Sequence, residues 1–144
     1  MAIERKMQKE EAARYNPVTL AFLGDAVYAL YVREKLVLSN TGKASELQKT
    51  ASSVLSARGQ SAFLQRVLPL LSQDEEDVYK RGRNAKKATK SKNANAVDYA
   101  RSTGFEAVLG YLYLAGDYDR IEELLGQLQD DELRGQAPVT AYKP

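Results

Sequence analysis

Apolar side chains recur along this chain at helical spacing, with polar and charged positions filling the intervals. The run NPVTLAFLGDAVYALYVREKLVL, residues 16–38, is the longest such stretch. Asn16 followed by Pro17 is a strong helix start, a side-chain cap and then the residue tolerated at the first helical position. At 100° per residue, Leu20, Leu23, Val27, Leu30, Tyr31 and Leu38 share one face. Val18, Ala21, Phe22, Ala29, Val32 and Leu36 lie opposite, so the helix reads as apolar almost all round and predicts enclosure on both sides.

The other elements follow from the same pattern. Residues 4–14 predict a charged helical lead-in, Asn40-Thr41-Gly42 a turn, and 44–52 a short helix. Helix is expected to continue to about 70, with Gly59 a break and Pro69 near the end. Ser72 with Glu75 fits a capping box for a helix through DEEDVYKRGRNAKKA. Asn95 is placed to open the next helix and Asp117 the last. No useful period-2 strand and no internal repeat is present. The pattern predicts an all-α fold, a single domain over 1–134 and a disordered C-terminal tail over 135–144.

One polar residue disturbs the apolar helix. Asp25 sits among its apolar positions, and an ionised carboxylate enclosed there costs several kcal/mol unless it gains a partner, a metal or a proton. A salt bridge to a basic side chain is the plain alternative. A second candidate is Glu106, in STGFEAVLGYLYLAG. Its helical neighbours are Thr103, Gly110, Tyr99 and Tyr113, which sets it at the edge of a buried helix. Thr103-Gly104-Phe105-Glu106 also matches a capping box, so an alternative reading has Glu106 merely capping a helix that starts there. Spacing alone does not bring it to Asp25, 81 positions away.

Composition narrows the chemistry. The chain has no cysteine and no histidine. That excludes a disulfide framework, thiolate chemistry, the Ser-His-Asp triad and imidazole–metal sites. A hydrolase built from these residues must use carboxylates, Tyr, Lys or water activated by an oxygen-ligated metal. The opening MAIERKMQKEE lacks the apolar core of a signal peptide, and no run approaches a membrane span, so a cytoplasmic protein with no membrane partner is expected.

Charge is unevenly placed. Between Val78 and Val97 stand Lys80, Arg81, Arg83, Lys86, Lys87, Lys90 and Lys92, with no acid. The rest of the chain holds 14 basic against 19 acidic side chains. On a helix Lys80, Arg83, Asn84 and Lys87 form one stripe with Arg81 on its shoulder, followed by the small, polar and flexible-looking ATKSKNANA. Cations offsetting a helix dipole are the plain reading. Seven without a counter-charge exceed that need and point to a polyanion, nucleic acid above all.

These residues reach a known family. LAFLGDAVYALYVRE resembles the signature helix of ribonuclease III, GFEAVLGYLYLAGDYD its second motif, and YKRGRNAK the glycine-containing helix end between them. The resemblance spans about 16–128. With one short domain, no separate double-stranded-RNA-binding module and the RGRNAK run, the chain is most similar to the compact bacterial branch, Mini-ribonuclease III. That resemblance implies an all-α homodimer cutting both strands of double-stranded RNA, with Mg²⁺ held by carboxylates matching Asp25 and Glu106. It further implies maturation of large-subunit (23S) ribosomal RNA precursor, with a ribosomal protein as a further partner. Water attack would leave 5′-phosphate and 3′-hydroxyl ends. Lys80, Arg81, Arg83, Asn84, Lys86, Lys87 and Lys90 are the expected RNA contacts. The Val18, Phe22, Ala29 and Leu36 face is the expected dimer seam. Where larger relatives carry further acids this chain has Val18, Ala21 and Thr103, so its carboxylate set is lean. That leanness supports one alternative, a catalytically silent RNA-binding or ribosome-associated module; a second is a helical protein–protein adaptor in which the basic loop meets an acidic partner.

Overall fold

The computed structural model describes residues 7–39, 42–85 and 94–133. The expected tail, the Asn40-Thr41 part of the turn and Lys86, Lys87, Lys90 and Lys92 lie outside the described residues. Every regular element described is helical: α1 (Lys9–Ala13), α2 (Pro17–Ser39), α3 (Ala44–Leu55), α4 (Ser61–Val67) running into a 3₁₀ turn (Leu68–Leu70), α5 (Gln73–Arg83), α6 (Ala94–Leu114), α7 (Tyr118–Leu125) and α8 (Asp130–Leu133). The all-α expectation holds. No helix among the described residues is long and apolar enough to cross a membrane.

The predicted starts are seen in detail. The Asn16 side chain accepts from the Val18 N–H at 2.8 Å, opening α2. Ser72 and Glu75 form the reciprocal capping box of α5, and the Asp117 side chain accepts from the Arg120 N–H to start α7. Gly59 does mark a break, since α3 ends at Leu55 and residues 56–60 form turns before α4. Two expectations fail. The helix through DEEDVYKRGRNAKKA stops at Arg83 with Asn84 as its C-cap, and α8 was not anticipated.

The core face of α2 also departs from expectation. Its buried residues are Leu20, Ala21, Gly24, Tyr28, Val32 and Leu36, a stripe stepping mainly by four. Leu30 and Leu38, expected inside, are 63% and 73% exposed, and Phe22 on the opposite side is 83% exposed. The helix is therefore enclosed on one side, not two. Below it, Tyr28, Phe63 and Phe105 meet edge-to-face with centroids 5.5–6.1 Å apart, a geometry that adds about 0.5–1.5 kcal/mol per pair beyond burial.

Two longer-range ion pairs with buried carboxylates lock the periphery. Buried Glu75 receives two hydrogen bonds from Arg120, each 2.9 Å, and Arg120 also donates to the Leu70 carbonyl. Burial pushes the Glu75 carboxyl up, but the Arg120 bonds and the Ser72 N–H outweigh it and leave the carboxyl below its ordinary value. Likewise Arg66 pairs with buried Glu132, which holds α8 in place and accepts from the Gln129 N–H.

Candidate active site

Where α2 meets α6 the two main chains touch. A Cβ at Gly24 would collide with the Glu106 carbonyl, and one at Gly110 with the Leu20 carbonyl. Only glycine fits either position, because any side chain would hold the helices apart. Asp25 follows Gly24 directly, and Glu106 sits one turn before Gly110. The paired glycines thus bring the two carboxylates, remote in sequence, to one cleft of about 340 Å³.

Their surroundings differ. Asp25 is exposed, and among the described residues no hydrogen bond or ion pair engages its carboxylate. This corrects the expectation of an enclosed aspartate: with only one side of α2 covered, Asp25 stands on the open side. Glu106 is largely buried in the cleft wall. Burial raises its carboxyl, the hydrogen bond from Gln60 opposes that, and the charge of Asp25 adds to it, leaving the pKa at about 7. The capping alternative for Glu106 does not hold, since α6 runs unbroken from Ala94 and the Thr103 hydroxyl donates to the Tyr99 carbonyl at 2.9 Å.

Gln60 is the residue that sequence reading missed. It is 1% exposed, lines the same cleft and donates from Nε2 to Glu106 Oε2 at 3.2 Å and to the Leu55 carbonyl at 3.0 Å. Its Oε1 is buried with no hydrogen-bond partner. The available signal was a lone amide in GQSAFL, between a turn glycine and an apolar run. Val18, Ala21 and Thr103, the uncharged positions that make the expected carboxylate set lean, line this cleft too.

Among the described residues no three acidic, His or Cys side chains cluster. The cleft nevertheless suits a hard cation. Its two charged groups, Asp25 and Glu106, are both oxygen ligands, the charge of Asp25 raises the cost of ionising Glu106, and an orphaned amide oxygen lies alongside.

The basic stretch is only partly described. Lys80 is exposed and pairs with Glu76 at 3.6 Å, so the stripe is not wholly without counter-charge. Arg81 turns inward, donating to the Ala13 and Tyr15 carbonyls at 2.6 and 3.0 Å and tying α5 to the entrance of α2. Arg83 lies over the Tyr79 ring and donates to the Asn84 side chain.

A Ribonuclease III domain model matches residues 18–117. A Mini-ribonuclease 3 from Brevibacillus brevis is 46% identical over 125 residues, covering 84% of this chain and 93% of the relative. The Mini-ribonuclease 3 of Symbiobacterium thermophilum is 45% identical over 120 residues, covering 83% and 92%. The chain belongs to the Mini-ribonuclease 3 family. A crystal structure of a Fusobacterium nucleatum protein shares the fold of this Mini-ribonuclease 3 family member, with a TM-score of 0.68 at 26% identity over 78% of this chain and 90% of that one. The matched span contains Asp25, Gln60 and Glu106 together with the basic stretch.

Proposed function

We propose that this endoribonuclease hydrolyses double-stranded RNA with Mg²⁺ held by Asp25 and Glu106, maturing 23S ribosomal RNA precursor in the cytoplasm as a homodimer. The observation that carries this reading is the glycine-made crossing that sets both carboxylates in one cleft. A bound Mg²⁺ supplies charge neutralisation at the scissile phosphate and a more acidic water. Asp25, exposed and unpaired among the described residues, would hold the ion from the open side. Glu106 would hold the ion from the cleft wall, its carboxylate oriented by the Gln60 amide. Water as the attacking group leaves 5′-phosphate and 3′-hydroxyl ends, and no histidine is required.

Duplex RNA suits this surface because its wide, shallow minor groove is recognised by shape and 2′-hydroxyls. Lys80, Arg83 and Asn84 would meet phosphates, joined by Lys86, Lys87 and Lys90; Arg81 would act chiefly by holding the helix that presents them. A two-fold dimer offers one cleft to each antiparallel strand. Exposed Val18 and Phe22, with half-buried Ala29 between them on the same face, support such a seam. Leu36, expected in it, is buried in the core at 3% exposure and is withdrawn. A ribosomal protein would be a further partner on the precursor particle.

The deciding experiment is the product pattern on a long duplex RNA with and without Mg²⁺. Defined fragments bearing 5′-phosphates are expected only with the ion. Asp25→Asn should reduce cleavage to below about a hundredth while leaving the melting temperature and duplex binding nearly unchanged, because its carboxylate supports no contact in the fold. Duplex binding without cleavage by the wild-type chain would favour the silent module instead.

A further inference from the structure

Gln60 carries more than a turn needs. Bonding to the Leu55 carbonyl uses one N–H of the amide, and the second goes across to Glu106. Both partners are acceptors, so rotating the amide would set its oxygen against two oxygens; the neighbours dictate which end faces them. The outcome is a buried carbonyl oxygen, Oε1, with no partner. Such an oxygen costs about 1–3 kcal/mol, and native structures usually resolve it with water or a ligand. It belongs to a residue lining the cleft of Asp25 and Glu106.

We propose that Gln60 is a positioning residue of the cation site, its amide N–H orienting the Glu106 carboxylate and its Oε1 accepting a hydrogen bond from a water that accompanies a hard divalent cation. This rests on the reading that Asp25 and Glu106 hold the cation. With two carboxylates in place of a larger set, most of the ion's shell is water, as Mg²⁺ tolerates. Water beside a divalent ion is a strong donor and needs acceptors. Groups that orient ligands from behind typically change metal affinity by about 10–100-fold when removed. The Gln60 amide offers a donor to the ligand and an acceptor to the solvent shell from one rigid, buried plane.

The test uses the full-length protein and Mg²⁺ alone, without RNA. Calorimetric titration of the wild type and of Gln60→Met, a near-isosteric replacement lacking both functions, is expected to show about 10–100-fold weaker binding in the variant. In the wild type, the NMR resonances of the Gln60 side-chain amide should shift with Mg²⁺ and saturate at the concentration found by calorimetry. That measurement stands even where the variant does not fold. Unchanged affinity in a folded variant, or a Gln60 amide unmoved by Mg²⁺, overturns the assignment and leaves Gln60 a structural tie. A wild type that binds no Mg²⁺ overturns the reading of Asp25 and Glu106 along with it.

Discussion

Glu106 shows how one residue couples fold and proton. Its carboxyl is held near 7 against an ordinary 4.5, so the folded chain binds this proton more tightly than the unfolded one. The resulting stability is complete below the ordinary value and is lost as pH rises through about 7. Without divalent ions, the group should therefore make the protein less stable at pH 8 than at pH 5, by at most about 3 kcal/mol given partial solvent screening. Urea unfolding in chelator at the two pH values, with Glu106→Gln as control, checks this; the variant should lose that difference. Mg²⁺ affinity should run the other way, strengthening as pH rises past 7. Residue by residue, legibility was uneven. Ser72 with Glu75 was readable because a capping box is local, whereas the Arg120 that neutralises Glu75 is 45 positions away. Asp25 stood out as a lone charge, but its exposure did not, since a helix apolar all round gives no sign of which side a partner will cover.

Among the elements, α2 and α6 decide the site and α5 its approach. The starts of α2, α5 and α7 were legible from capping chemistry. The buried stripe of α2 was not, because Gly24 and Tyr28 rank low on apolarity yet lie at the crossing, while more apolar Leu30 and Leu38 face outward. Thr103 to Glu106 mimicked a helix start because the motif is short enough to occur inside a helix. Gly110→Ala should be destabilising by about 2–4 kcal/mol, since a methyl group there meets backbone and not a yielding side chain. In protein that still folds, it should weaken Mg²⁺ binding by parting the carboxylates; denaturant melts and calorimetry read the two effects. On α5 the cations divide. Arg81→Ala should lower the melting temperature through loss of its carbonyl bonds. Arg83→Ala should weaken duplex binding and flatten its salt dependence with little change in stability, so binding curves at several salt concentrations beside thermal melts separate a strut from a phosphate contact.

For the whole molecule, the open side of α2 is the main unfinished surface. Phe22 belongs both to the exposed apolar face and to the lining of the cleft. Phe22→Asp should yield a monomer by analytical ultracentrifugation and lose duplex cleavage while keeping its helical content. The glycine crossing has a different consequence, one that concerns heat. At Gly24 and Gly110 the main chains of α2 and α6, the two longest described helices, are already in contact, with no side chain at either glycine to loosen gradually. The spacing of the main chains that carry Asp25 and Glu106 can then change only when the helices separate, and their separation dismantles the core around Tyr28, Phe63 and Phe105. Warming should leave the catalytic geometry intact until the fold itself gives way, so this enzyme should lose activity at its unfolding temperature and not before it.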